Sequence, residues 1–542
     1  MELTHRLSLR PWLLLAGLGA ILFLVSLGSN RVLTFHETCL AVPAKEMIQS
    51  GNYLTTTYAG VPFNHKPPIG HWVIAAMILL FQSEGEFVVR FPFALSAIAT
   101  ALVMARLAAQ WHGERIGVIT GIIQLPLYYS QMQGSLAEAD ILACFFVCSA
   151  IAAFLHATMR PNVSREPSSW NWQLSPLFYF LTGCAFLTKG PLPLGMILGP
   201  CLLLPCFYFL ASRGRKAVNS KPMSNFETCS LDDFCGRALR FLFNPVGIVV
   251  GLMVVFAWPI AAYRQHPDIL QTWIEHNFQR FAGKYSGGDK PPFYYVYTLP
   301  MLLAPWTFFA AYGIWIGWKR GEFRAIRWQF LLLWFVLGFT VLSSSAWQHK
   351  HYLIPVLPLF SIFAAVGIEN VWQKLSTSNF DSRRTISVSR LFCTKVMQPR
   401  PLFGTVIAAS VAVHVWAIPA FDSYRDQTLF AKRISEKLDA SRPVFLLELP
   451  VSQLAYYVKP QLVRMDRVEK FVEAIPQRNS SPVSILAPRS VVNQLSEFGR
   501  VEMMDECETI RKIMNEEDRL TLAKFTPWPI RVANQDLGTS RH

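Results

Sequence analysis

Residues 69–81 read IGHWVIAAMILLF, an apolar run of 13 residues that follows Pro67-Pro68 and stops at Gln82-Ser83-Glu84. A helix needs about 20 apolar residues to cross a bilayer, and a run of about 10 to 14 reads as interfacial or re-entrant. The choice decides the architecture, because counting this run as a span reverses the side of every loop after it. With the run outside the count and the N-terminus in the cytoplasm, the inside segments are 1–10, 106–115, 159–174, 212–243, 317–327 and 369–402. They hold 22 Lys+Arg in 113 residues. The outside loops 29–90, 133–138, 189–190, 263–293 and 346–351 hold 10 in 107. The strongly basic stretches Arg213–Arg240, Lys319–Arg327 and Lys374–Arg400 then all fall inside, as the positive-inside rule requires.

Working outward, the spans expected are 11–28, 90–109, 115–132, 139–158, 175–188, 191–211, 244–262, 294–316, 328–345, 352–368 and 403–421, eleven in all. The first, preceded by Arg6 and Arg10, is long for a signal-peptide core and lacks a clear small-residue cleavage site, so an uncleaved span is expected. The class is a polytopic α-helical membrane protein. Residues 1–421 form the transmembrane domain, with a first external loop at 29–89 that contains interfacial helices. From Asp422 the character changes. Short apolar strands such as 443–447 and 483–486 alternate with amphipathic stretches such as 490–498, which predicts a small extracytoplasmic α/β domain over 422–542.

Composition agrees. Of 542 residues 52% are hydrophobic and 16% charged, against about a quarter charged in an ordinary soluble chain. The net charge of +15 is carried by residues 1–421 (32 Lys+Arg, 18 Asp+Glu), while 422–542 are nearly balanced (18 against 17). A basic excess lodged between apolar runs is a topology signal rather than a nucleic-acid footprint. Ten cysteines show no close-set framework and no paired CxxC, which excludes a disulfide scaffold and a thiolate metal site.

The polar residues of the outer loops form the candidate site. They are His36-Glu37, Asn64-His65-Lys66-Pro67-Pro68, Glu138, Asp140, Lys189, Glu275-His276, Arg280 and His349-Lys350-His351. The spans themselves carry almost no ionisable group, whereas a transporter of a charged substrate places its polar site near the midplane. Acids, imidazoles and cations at the outer interface suit a lipid-borne substrate with its tail in the bilayer and its phosphate at head-group level. Lys66, Lys189, Arg280 and Lys350 are candidate phosphate ligands. A carboxylate, Glu37 or Asp140, is the candidate base for an acceptor hydroxyl. Each has a structural alternative. Glu37 reads also as a salt-bridge partner, Asp140 as a charge favourable to a helix N-terminus, Lys189-Gly190-Pro191 as a turn, and Lys350 as a snorkelling side chain. Lys66-Pro67-Pro68 reads also as the start of an interfacial helix. His65 and His276, from separate loops, are a weak metal signature without a third ligand.

The segments HE (36–37), AKEMIQSGNYL (44–54), GVPFNHKPP (60–68), VVRFPFAL (88–95), AEAD (137–140), LTKGP (187–191), EHNFQRF (275–281), APW (304–306) and KHYLIPVLP (350–358) resemble, in order, bacterial protein-mannosyltransferase-like glycosyltransferases, including the lipid A aminoarabinose transferases. The resemblance covers roughly 11–370. It implies the GT-C fold and inverting transfer of a sugar from a polyprenyl-phosphate donor to an envelope lipid, protein or glycan acceptor. It implies a multi-pass plasma-membrane protein with its site on the extracytoplasmic face, Lys66 on the donor phosphate and Asp140 in the active site. The alternatives are a lipid or sugar transporter, a diphosphate-using oligosaccharide ligase, or a non-catalytic scaffold. The chain departs from the family pattern in three places. His36 replaces an Asp that is the expected base, His65 replaces a Glu, and Cys39 replaces an Arg. Glu37, Asp140 and His36 are therefore all candidates for the base. In the aminoarabinose transferase that Glu and a later His help bind a metal, so His65 and His276 are candidate ligands of a divalent metal, zinc or magnesium.

Overall fold

The computed structural model describes residues 9–25, 27–28, 33–64, 66–159, 170–213, 231–275, 279, 290–291, 293–378, 399–417, 427–439, 441–449, 454–458, 461–475, 481–507 and 519–528. These fall into two units. One takes Met1–Ser29, Ser50–Thr56 and Phe63–Ile418; the other takes Asn30–Gln49, Thr57–Pro62 and Pro419–His542.

The first unit is helical. It contains α1 (Leu9–Leu24), and the helix α2 (Phe35–Ser50) that follows belongs mainly to the second unit. Then come α3 (Ile69–Phe81), α4 (Glu86–His112), α5 (Glu114–Gln124), α6 (Tyr128–Gly134), α7 (Ala139–Thr158), α8 (Trp170–Lys189) and α9 (Leu192–Arg213). These are followed by α10 (Leu231–Leu242), α11 (Pro245–Gln265), α12 (Asp268–Ile274), α13 (Tyr294–Leu302), α14 (Thr307–Lys319), α15 (Ile326–Ser343), α16 (Pro358–Ser378) and α17 (Pro399–Ala412). A 3-10 segment, Lys350–Val356, precedes α16. The decisive run 69–81 is one 13-residue helix, started at Pro68 and stopped by Gln82 in the left-handed region (φ 49°). At about 1.5 Å per residue it reaches roughly 20 Å, short of a hydrocarbon core of about 30 Å.

Among the described residues, five helices are long and apolar enough to cross a membrane: α4, α7, residues 192–210 of α9, α11 and α15. Counting each of two bent pairs, α13 with α14 (103°) and the 3-10 segment with α16 (63°), as one span gives up to seven. Apart from the bent pairs, three of the eleven expected spans do not form a single long apolar helix, each for a physical cause. The expected span 115–132 is interrupted at Pro126, which cannot continue the ladder begun in α5. Helix α1 has only 16 residues. The stretch 403–421 is helical over Phe403–Ala412 and passes into a π turn, Val413–Ala417.

Packing within the unit uses small residues where backbones meet. A Cβ on Gly313 of α14 would lie 1.9 Å from the Phe363 carbonyl oxygen, and one on Gly367 of α16 would lie 2.2 Å from that of Phe309. This is the close approach that small residues permit between membrane helices. Three of the segments expected inside, 106–115, 317–327 and 369–402, come together in their described residues, where Arg327 Nη1 donates to the Trp111 carbonyl at 3.5 Å. Arg115 pairs with Glu369 at 3.0 Å and stacks 3.4 Å over Trp372, and Lys374 donates to Tyr312 Oη at 3.1 Å.

The second unit contains the expected α/β domain. Its helices α18 (Gln427–Lys437), α19 (Leu454–Tyr457), α20 (Val468–Ala474) and α21 (Arg489–Leu495) flank a five-stranded sheet. A short hairpin, β1 (Thr57–Tyr58) and β2 (Val61–Pro62), comes first in the chain and turns at Ala59 and Gly60, both at positive φ. The sheet strands are β3 (Val444–Leu447), β4 (Leu462–Met465), β5 (Val483–Pro488), β6 (Gly499–Glu506) and β7 (Leu520–Pro527), in the order β4-β3-β5-β7-β6. Strands β4, β3 and β5 are parallel, and β7 runs antiparallel to β5 and β6. Successive side chains alternate between faces. Leu486 and Leu522 therefore join one apolar layer with Phe430 and Leu454, while Ile485 and Phe525 join another with Phe471 and Leu495.

The N-terminal loop is part of this unit. Tyr457 Oη accepts from the Leu33 amide at 2.9 Å, and Lys45 lies 5.6 Å over the Tyr456 ring. The boundary expected at 421/422 therefore describes only the C-terminal part of the second unit.

Candidate active site

The start of α7, the end of α8 and the 3-10 segment before α16 come together in the helical unit. Asp140 lies in the first turn of α7, two residues after Glu138 at the N-cap position. Lys189 is the last residue of α8, where Gly190 (φ 82°) and Pro191 turn the chain into α9. The Lys189 ammonium pairs with Asp140 Oδ1, and the Asp140 side chain is only 11% exposed. Glu138 and Lys66 both act electrostatically on Lys189, attractively and repulsively. On its other side Lys189 lies 4.9 Å from the centre of the Tyr352 ring, a cation–π arrangement.

Tyr352 belongs to an aromatic cluster just before and within the 3-10 segment. His349 and His351 are stacked (5.1 Å, 13°), and Tyr352 meets His351 edge-on at 4.7 Å. Lys350, between the two imidazoles, is exposed. Helix α7 packs directly on this segment, and Cys144 Sγ, one turn below Asp140, donates to the Ile354 carbonyl at 3.5 Å.

Asp140, Lys189 and Lys66 thus form one electrostatic cluster, reached by the segment that carries Lys350. Glu37 belongs to the second unit and is completely buried. Its Oε2 accepts from the Thr34 amide at 2.7 Å, and Thr34 Oγ1 accepts from the Glu37 amide at 3.3 Å. This reciprocal pair is a capping box at the start of α2. His36, one residue earlier, is exposed and touches the Phe35 ring edge-on at 5.7 Å. The same helix is braced by Tyr58, whose hydroxyl donates to Thr38 Oγ1 at 3.3 Å and whose phenol pKa burial pushes well up. His65, His276 and Arg280 lie outside the described residues. Among the described residues, no group of three or more His, Cys, Asp or Glu side chains gathers as a metal site.

Three residues of this neighbourhood are not among the expected ones: Tyr352, which lies over Lys189, and Tyr294-Tyr295 at the head of α13, of which Tyr295 bonds the His349 backbone. A tyrosine doublet opening an apolar run was the available signal. For Glu37 the signal was Thr34-x-x-Glu37, the spacing of a capping box.

The profile of the dolichyl-phosphate-mannose-protein mannosyltransferase family matches residues 65–227, which include Lys66, Asp140 and Lys189. That of the Alg9-like mannosyltransferase family matches 274–438, which include Tyr352. Similar proteins include two undecaprenyl phosphate-alpha-4-amino-4-deoxy-L-arabinose arabinosyl transferases. One, from Shewanella sediminis, is 26% identical over 65% of this chain and 59% of its own length. The other, from Edwardsiella ictaluri, is 25% identical over 75% of this chain and 71% of its own. Among solved structures, ArnT from Cupriavidus metallidurans bound to undecaprenyl phosphate superposes with a TM-score of 0.69 at 17% identity, covering 95% of this chain and 98% of that one. The archaeal oligosaccharyltransferase AglB from Archaeoglobus fulgidus gives 0.54 at 11%, covering 94% and 74%. The chain is a multi-pass membrane protein with the GT-C fold, and in sequence it is similar to the protein-mannosyltransferase-like and aminoarabinose-transferase-like glycosyltransferases.

Proposed function

We propose that this protein is a glycosyltransferase that moves a sugar from an undecaprenyl-phosphate carrier to an envelope lipid, on the extracytoplasmic face of the plasma membrane. The observation that carries the reading is the Asp140–Lys189 pair beside Tyr352, with Lys66 in electrostatic range. A carboxylate held by a side-chain ammonium is exchangeable. When the donor phosphate reaches Lys189 and Lys66, it competes for the cation and leaves the Asp140 carboxylate free to accept a proton.

The acceptor hydroxyl oxygen then attacks the anomeric carbon from the face opposite the phosphate. The bond from that carbon to the phosphate oxygen breaks, polyprenyl phosphate leaves with the electron pair, and the hydroxyl proton passes to Asp140. Inversion needs one base only, since phosphate departs unprotonated. Lys66, Lys189, Lys350 and Arg280 are assigned to the phosphate. The exposed His36, at the position where the resemblance places the base, is the second candidate for that role. His65 and His276 are assigned, on the resemblance alone, as ligands of zinc or magnesium. Metal analysis of purified wild-type and His65→Ala protein tests that assignment, and no step above depends on it.

The test of the function is turnover of an undecaprenyl-phosphate-linked sugar by the purified full chain, joined to mass spectrometry of envelope lipids from cells with and without the gene. One missing glycosyl unit on a lipid is expected. Lys66→Ala should lower turnover about 10²-fold at unchanged protein level, and equal turnover would remove its role. Lipid flux without product would favour a transporter, a change confined to proteins or glycans would redirect the acceptor, and preference for a diphosphate carrier would favour an oligosaccharide ligase.

A further inference from the structure

The segment that brings Tyr352 under Lys189 is held in place from outside by two consecutive tyrosines. Tyr295 is 1% exposed. Its hydroxyl donates to the His349 carbonyl at 3.1 Å and accepts from the His349 amide at 3.2 Å. The phenol of Tyr294 lies within electrostatic reach of the next amide, that of Lys350. Both tyrosines open α13, a helix distant in sequence from the loop they grip.

This grip matters because of what it holds. The 3-10 segment Lys350–Val356 is only seven residues long, and such helices have poor hydrogen-bond geometry and little stability of their own. Its orientation is therefore set by its neighbours. A hydroxyl bonded to both the amide and the carbonyl of one residue holds the two peptide planes that flank it, and so fixes that residue's backbone rotation as well as its position. Three residues later the Tyr352 ring meets Lys189, which in turn holds Asp140. Displacement of about 1 Å at such a relay costs on the order of 10²-fold in a precisely oriented reaction.

We propose that Tyr295, seconded by Tyr294, is a positioning residue for donor-phosphate binding, acting through the His349–Lys350 backbone on Tyr352 and Lys189. The proposal rests on the reading of Lys189 as a phosphate ligand and goes beyond it by naming what keeps that ligand's surroundings in register.

The experiment measures dissociation constants of undecaprenyl phosphate and of undecaprenol for the full-length wild type, Tyr295→Phe, Tyr294→Phe and Lys189→Ala proteins. Hydrogen exchange of the 347–353 peptide is followed alongside. Tyr295→Phe keeps the ring and deletes only the hydroxyl. It should weaken undecaprenyl phosphate about tenfold, leave undecaprenol within twofold, and speed exchange of the peptide. Tyr294→Phe should do the same to a smaller extent, and it decides the matter if Tyr295→Phe does not accumulate. Unchanged affinity for the phosphate, or equal weakening of both lipids, overturns the proposal. Lys189→Ala separates the two levels. If it leaves phosphate affinity intact, the donor-site reading itself fails; if it weakens the phosphate while the tyrosine variants do not, only the positioning role fails.

Discussion

Glu37 lies in the first turn of α2 and Asp140 in the first turn of α7, and each is a nearly buried carboxylate at a helix N-terminus. Their partners differ. Glu37 is held by a backbone amide of its own helix cap, whereas Asp140 is held by a lysine from the neighbouring helix. A backbone amide cannot be drawn away by a ligand without unwinding the helix start. A lysine ammonium can be shared with an incoming phosphate. Two acids with the same local address thus divide into one that keeps a fold element in place and one that can enter chemistry.

The sharpest break of that contrast is a pair of isosteric changes. Asp140→Asn should lower turnover by about 10²- to 10⁴-fold, while Glu37→Gln should lower it less than tenfold, both read with the same donor. The reverse order would assign the base to α2 and reduce Asp140 to a helix-end charge. A smaller effect sharpens the structural half. Thr34→Ala removes the other arm of the box and should cost about 0.5–2 kcal/mol of stability in the second unit, seen as a lower unfolding midpoint and faster exchange over residues 33–40. Smallest is a pH effect in the same unit. Burial raises the Asp505 pKa, but hydrogen bonds from Arg433 and Lys437 outweigh it and hold the carboxyl below the usual range. A depressed folded pKa means a contribution fully present above about pH 4, the unfolded value, and lost as pH falls through the folded one. Exchange at β6 should therefore accelerate below pH 4 in the wild type, and Asp505→Asn should remove most of that dependence.

Much of this was readable from sequence where local chemistry sets the outcome. The run 69–81 forms a helix of the same limits because Pro68 starts it and the polar stretch from Gln82, itself in the left-handed region, stops it. The strands at 444–447 and 483–488 follow from β-branched, apolar residues in short runs. Lys66, Asp140 and Lys189 were all named as candidates, and the Asp140–Lys189 pair joins two of them. What escaped was non-local or had two meanings. No periodicity announces that Leu33 will bond Tyr457, 424 positions away. The Tyr295 clamp is equally remote from His349, and a tyrosine contributes to no charge count. Glu37 escaped for the opposite reason. Its capping spacing was in plain view, but an acid in an outer loop was read for chemistry before it was read for helix geometry.

The second unit is stitched from both ends of the chain, and this has a consequence for how the protein is made. Helix α2 leaves the ribosome long before Tyr457 exists. At about 5–20 residues per second, the 424 intervening positions correspond to a delay of roughly 20 to 85 s. Throughout that interval the Leu33 amide and the Lys45 ammonium, which meet Tyr457 and Tyr456 in the finished protein, have no C-terminal partner. The nascent chain must carry these open contacts through the synthesis of nearly every helix, which makes the last quarter of translation the moment when α2, already braced by Tyr58, acquires its C-terminal neighbours.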